Sequence, residues 1–245
     1  MAYCRQMQFL GVDLGWYGKP SGVAVLKEWR GALRIRSLDR LTGTDEILRW
    51  VDRTVGNGDA IAGVDAPLVI PNLSGSRPVE RQMTSVFGRY HAGCHAANRA
   101  RPFAALTTGF ALELERRGFR HGPLLRARQP GRHQIEVHPH AAMVELFRLD
   151  RIIKYKKGTF AARAAELRRM RDLMVTRLPG MDPPFAPEGL PEIPDSGVAA
   201  LKAVEDRLDA VIAAYVAAHW WRWGTERNRA FGSESEGYII VPARS

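Results

Sequence analysis

The sequence predicts a single α/β domain spanning residues 1–245. Three observations predict it: short apolar runs broken by Gly and Pro near the N-terminus, further apolar runs that stop at a carboxylate, and helical periodicity between and after them. Gln8 to Asp13 (Q-F-L-G-V-D), Val23 to Leu26 and Leu33 to Leu38 are punctuated by Gly15, Gly18, Pro20 and Gly22, and read as a three-stranded antiparallel meander. In D-E-I-L-R-W-V, Ile47, Leu48 and Val51 share one helical face, with Thr44 as the expected N-cap. Asp59 to Asp65 is a continuous apolar run closed by a charge and Pro67, as for a strand buried on both faces. Residues 71–132 read as an inserted, basic, mostly helical cap, with helices near Val79 to Tyr90 and Phe103 to Arg117. Gln134 to His138 alternates like a strand that returns the chain to the sheet, and His140 to Phe147 is helical. Phe160 to Leu178 is an Arg-rich amphipathic helix, Pro179 to Pro194 a loop, Gly197 to Trp223 the longest helical pattern, and Gly237 to Pro242 a last strand.

Composition narrows the function. Hydrophobic residues make up 45% of the chain, enough for a core, which excludes wholesale disorder. The uncharged stretch Ala210 to Ala218 is about half of what a bilayer-spanning helix needs, and Met1 to Leu10 lack the long apolar segment of a signal peptide. A cytoplasmic protein with no membrane partner is expected. Cys4 and Cys94 are too few for a disulfide framework or a thiolate zinc site. The net charge of +10 is concentrated: residues 77–177 hold 21 basic and 8 acidic side chains, while the two ends together are slightly acidic. Such a middle suits a polyanionic partner, DNA or RNA, although an Arg-rich surface is the plain alternative.

The acids carry more chemistry. Asp13 ends a buried strand, Asp65 ends another in G-V-D-A-P, and Glu136 sits in I-E-V-H-P between Ile135 and Val137. In E-D-R-L-D-A-V-I-A-A-Y, Asp206 and Asp209 are three apart beside the stripe Leu201, Val204, Leu208, Val211, Ile212 and Tyr215. Converging carboxylates repel one another, and hard cations with oxygen ligands, Mg2+ or Mn2+, relieve that repulsion. Two such ions suit in-line displacement at phosphorus. Asp13, Asp65, Glu136 and Asp209 are therefore the candidate catalytic residues, and Asp13, Asp65, Asp206 and Asp209 the candidate metal ligands. Turn, cap or ion-pair roles are the structural alternative for each.

These residues resemble a known superfamily. G-V-D-L-G, P-S-G-V-A, G-V-D-A-P and the late D-R-L-D-A look like the ribonuclease H-like superfamily, and the D-x-x-D-A helix is similar to that of bacterial Holliday-junction resolvases. With E-V-H-P, K-Y-K-K-G and E-G-Y-I-I-V-P, in order, the chain resembles the family catalogued as domain of unknown function 429, described as predicted ribonuclease H-like nucleases. The resemblance implies a ribonuclease H-like mixed five-stranded sheet flanked by helices, with Asp13, Asp65 and Asp209 on catalytic metal. The chain departs at the central strand, where the superfamily commonly has Glu and this sequence has the shorter Asp65.

Other features suggest substrate contacts. Arg77 and Arg81 straddle a helix start, a good phosphate site, and Lys154, Lys156 and Lys157 flank Tyr155 in a turn suited to single-stranded nucleic acid. His138 is a candidate proton-transfer residue, equally suited to a structural hydrogen bond. His91, Cys94 and His95 fall at helical spacing, more consistent with packing than with zinc. Trp220, Trp221 and Trp223 are expected in the core, with a homodimer contact or a base-stacking platform as alternatives. No dinucleotide fingerprint opens a helix. The leading expectation is a metal-dependent nuclease; a non-catalytic nucleic-acid or nucleotide-binding protein is second. A sugar-kinase or actin-like phosphate-binding protein is third, because that architecture duplicates the domain.

Overall fold

The computed structural model describes residues 6–243, so Cys4 lies outside the described residues. Strands β1 (Gln8–Asp13), β2 (Ser21–Trp29) and β3 (Ala32–Leu41) form the antiparallel meander. Arg30 and Gly31, both at positive φ, make the two-residue turn between β2 and β3, whose twist matches that of the strands. Helix α1 (Thr44–Val55) crosses to β4 (Ala60–Val64), parallel to β1. Its N-cap is Gly43, not Thr44, which is already the first helical residue; the Glu46 carboxylate accepts from the Thr42 N–H instead.

Helices α2 (Pro78–Phe87) and α3 (Ala104–Arg116) follow, then β5 (Arg120–His121) and β6 (Arg132–Glu136). The sheet has six strands in the order β3-β2-β1-β4-β6-β5, one more than expected, because the two-residue β5 adds an edge parallel to β6. The last elements are α4 (Pro139–Leu146), α5 (Phe160–Arg177), α6 (Val198–Trp223) and a hairpin of β7 (Asn228–Ser233) and β8 (Gly237–Pro242). The strand expected at Gly237 to Pro242 thus pairs with β7, and is joined to the chain just after β6 by an isolated bridge between Val137 and Ile240.

Strand alternation sorts the core into two layers. Leu10, Val12, Val23, Val25, Ala62 and Val64 face Ile47 and Val51 of α1 and Phe110 and Leu114 of α3. The segment expected as a cap therefore supplies part of the domain core. Phe9, Ala24, Leu26, Ile61 and Ile135 face the other way, toward α4, α5 and α6. Helix α6 is buried nearly all round from Leu208 to Trp220, as its unbroken apolar run requires. Three glycines let it lie on the sheet: a Cβ on Gly11, Gly22 or Gly63 would stand 1.9, 1.9 or 2.4 Å from the α6 carbonyl oxygens of Ala210, Asp206 or Ala213. Among the described residues, no helix is long and apolar enough to cross a membrane.

Candidate active site

Gly11 is paired with Gly63 and Val12 with Val64, so Asp13 and Asp65 leave their strands side by side; the Asp65 N–H donates to the Val12 carbonyl at 2.8 Å. By alternation both carboxylates fall on the glycine face, where α6 lies. The close approach of α6 brings Asp206 and Asp209 to the same sheet end. Asp209 is fully buried; Tyr155 donates to its Oδ1 at 2.6 Å, and Lys156 Nζ stands 3.0 Å from Oδ2. That ion pair lacks hydrogen-bond geometry, which leaves Oδ2 without a hydrogen bond among the described residues. Both cation and phenol come from the K-Y-K-K-G segment between α4 and α5. Asp206 is engaged on both oxygens, by Arg40 Nε at 2.8 Å and Lys202 Nζ at 2.7 Å, so it serves as an ion-pair anchor rather than a free ligand.

Asp13 and Asp65 differ from Asp209 and Asp206 in having no hydrogen bond or ion pair to their carboxylates among the described residues; they line a cavity of about 840 Å3. Burial, then the charges of Asp209 and Asp65, hold the Asp13 carboxyl well above the ordinary range. Burial, then Asp209 and Glu136, push Asp65 up to about 7. Lys156 opposes both shifts. Burial works to lower the Lys156 pKa, but Asp209, Tyr155, Asp13 and Asp65 outweigh it and keep the ammonium protonated. Its side chain is 37% exposed, so the stem borders the cavity while the head reaches the acids.

Glu136 departs from the expectation. Val64, not Asp65, is its register partner, so it sits on the opposite face from Asp13 and Asp65. There it accepts from Arg77 Nη2 at 2.6 Å, from Arg77 Nη1 at 2.9 Å and from the Leu68 N–H at 3.0 Å. Arg77, expected as a phosphate contact, is only 1% exposed and also binds Glu80 at 2.9 Å. Arg77 and Glu136 still border the cavity, but as a mutually satisfied pair. Arg81 is on the surface, donates to the Ser76 carbonyl and lies outside the cavity lining. Lys154, Lys156 and Lys157 all line the cavity, joined by Lys19 and Lys202.

His138 and His140 also line it, and burial holds both imidazoles down at about 3. Among the described residues, His138 Nε2 and His140 Nδ1 have no hydrogen-bond partner. His91, Cys94 and His95 border the same cavity but do not share a helix face, because residues 92–98 have no regular structure. The three C-terminal indoles each donate to a carbonyl, Trp220 to Gly122, Trp221 to Gln129 and Trp223 to Asp182. They clip α6 to loops rather than form a free platform.

The carboxylate oxygens of Asp13, Asp65 and Asp209 are the donor type a hard divalent cation takes, and Asp209 Oδ2 faces Lys156 without a hydrogen bond among the described residues. The arrangement is incomplete. Among the described residues no group of three or more His, Cys, Asp or Glu side chains stands ready to hold an ion, and Lys156 is the cation among them. Lys202 was legible from its spacing four residues before Asp206; Tyr155 as a partner of Asp209 was not, since they are far apart in sequence. The family described as "Protein of unknown function (DUF429)" matches residues 11–234, and the chain belongs to this family. No curated protein and no solved structure matches the chain.

Proposed function

We propose that the protein is a divalent-metal-dependent phosphodiester hydrolase acting on nucleic acid, built on a ribonuclease H-like sheet. The observation that carries this reading is the pair Asp13 and Asp65, side by side at the carboxyl ends of two parallel strands, facing a lysine-lined cavity without cationic partners of their own. The order β3-β2-β1-β4-β6 supports the fold assignment, since it is a mixed sheet that begins with a meander. Asp13, Asp65 and Asp209 would hold a Mg2+ or Mn2+ ion, which when bound supplies Lewis-acid stabilisation of phosphoryl oxygens. Tyr155 fixes the Asp209 carboxylate, the α6 carbonyls packed on Gly11 and Gly63 fix its height above the sheet, and Lys19, Lys154 and Lys157 attract the phosphates. Arg40 and Lys202 hold Asp206 and keep its charge from adding fully to the cluster.

Labelled single-stranded, duplex and branched DNA and RNA, incubated with Mg2+, Mn2+ or EDTA, test the reading. Cleavage is expected only with metal, and Asp13→Asn or Asp65→Asn should reduce it by about 100-fold or more. Absence of cleavage on every substrate, or cleavage unaffected by EDTA, would overturn it. The ammonium of Lys156 among the acids favours a second reading, a nucleotide-binding protein whose resident cation is a lysine; that reading requires binding without turnover.

A further inference from the structure

The same cavity has an apolar wall that the acid chemistry does not use. Trp16 and Phe103 both line it, with ring centroids 4.2 Å apart and planes inclined by 31°. Phe103 is buried and covers part of the indole, whereas Trp16 is half-buried and presents its remaining surface to the cavity. The loop that carries Trp16 is built for this placement. The Gly15 N–H donates to Ser21 Oγ at 2.9 Å, and the Lys19 N–H donates to the Trp16 carbonyl at 3.3 Å. A Cβ on Gly15 would stand 2.1 Å from the Lys19 carbonyl oxygen, so the loop closes only with glycine there. Tyr17 takes a left-handed conformation, φ 61° and ψ 34°, which is costly for a bulky side chain, and the residue is 60% exposed. Trp16 and Lys19, on either side of this turn, line the cavity, and Tyr17 does not.

We infer that Trp16, backed by Phe103, is the seat of a single nucleobase, and that the cavity takes one unstacked nucleotide of a single strand rather than a paired duplex. This deepens the hydrolase reading and rests on it for the placing of the phosphate. Trp16 lies three residues after Asp13, so their Cα atoms are separated by no more than about 11 Å. A nucleotide can then stack its base on the indole while its phosphate meets Lys19 next to the carboxylates. A volume of about 840 Å3 is that of a small-ligand pocket, and a base inside a duplex cannot enter such a space without leaving its stack. Every base offers a π-face, so the seat predicts affinity for single strands with little sequence preference.

Fluorescence anisotropy in EDTA, where no turnover is needed, tests the seat with a labelled oligothymidine, the same strand with abasic sites, and a duplex of equal length. Trp16→Ala should weaken binding of the oligothymidine by about 5- to 150-fold, the measured range for losing one stacked base, and Trp16→Phe should retain most of it. The abasic strand should bind the parent and Trp16→Ala equally weakly, and the duplex more weakly than the single strand. Equal affinity of parent and Trp16→Ala for the oligothymidine, equal affinity of the parent for abasic and base-bearing strands, or no binding to any strand, would overturn the seat. Failure of the two readings is distinguishable. Trp16-dependent binding without cleavage under any metal leaves the seat and removes the hydrolase; metal-dependent cleavage unaffected by Trp16→Ala does the reverse.

Discussion

Asp65 titrates near 7 in the folded protein and near 4 in an ordinary unfolded chain. Between those values the folded state holds a proton that the unfolded chain has released. The stability this group contributes is therefore complete below about pH 4 and is lost as pH rises through about 7. His138 and His140, held down at about 3, act in the opposite sense, losing stability as pH falls from about 6.5. The Asp65 contribution is isolated by comparison with Asp65→Asn: in EDTA, the melting temperature of the parent should drop more steeply from pH 5 to pH 8 than that of the variant. Parallel curves would show that Asp65 is not the strained acid. Lys156→Ala should enlarge the rise in melting temperature produced by Mn2+, because the competing ammonium is gone; a smaller rise would mean that Lys156 assists the ion. Glu136→Gln tests the opposite kind of acid. It leaves the buried guanidinium of Arg77 with one carboxylate, Glu80, instead of two, and should cost about 1–3 kcal/mol in urea unfolding, with or without metal. The difference between Glu136 and Asp65 was legible in the strand period: Ile135 and Val137 face one side, so Glu136 faces the other. What the period could not reveal is that Arg77, 59 residues earlier, waits there.

At the scale of the element, the site depends on how closely α6 can lie on β1, β2 and β4. Gly63→Ala places a methyl 2.4 Å from the Ala213 carbonyl oxygen, which is backbone and cannot turn aside. The helix must shift, so the change should destabilise by about 1–3 kcal/mol, measurable by urea unfolding, and should blunt any Mn2+-induced stabilisation, since Asp209 moves with the helix. An unchanged melt would mean that the helix has slack. The long helices and the meander were legible because their apolar positions recur at fixed periods over many residues. Strand β5 was not, since two residues, Arg120 and His121, carry no period, and the N-R-A-F-G-S of β7 lacks an apolar alternation. The place of α3 was hidden for another reason: its basic flanks suggested a surface cap, while Phe110, Ala111 and Leu114 fill the layer under α1.

For the whole molecule, part of the concentrated charge of residues 77–177 is answered from within. Arg117 pairs with Asp52, Arg163 with Glu205, Arg168 with Asp195 and Arg171 with Glu192, so the basic middle meets the acidic ends. Arg77 is buried between two acids, and Arg132 is held over backbone carbonyls of Gly58 and Arg117. At the cavity, Lys156 and Lys202 are held by Asp209 and Asp206, which leaves Lys19, Lys154 and Lys157 to meet a phosphate chain. Three phosphate contacts to a single strand correspond to a slope of about −2 in a plot of log affinity against log salt concentration. A nucleic-acid clamp using most of the surplus in the middle segment would give a slope several times steeper. Titrating a labelled single strand with the protein at several salt concentrations decides between them: a shallow slope, reduced by about 0.7 on Lys157→Ala, places binding at the cavity. A steep slope insensitive to that substitution would move the nucleic acid to the arginine surface, away from the carboxylates, and the proposed hydrolase would lose its substrate contact.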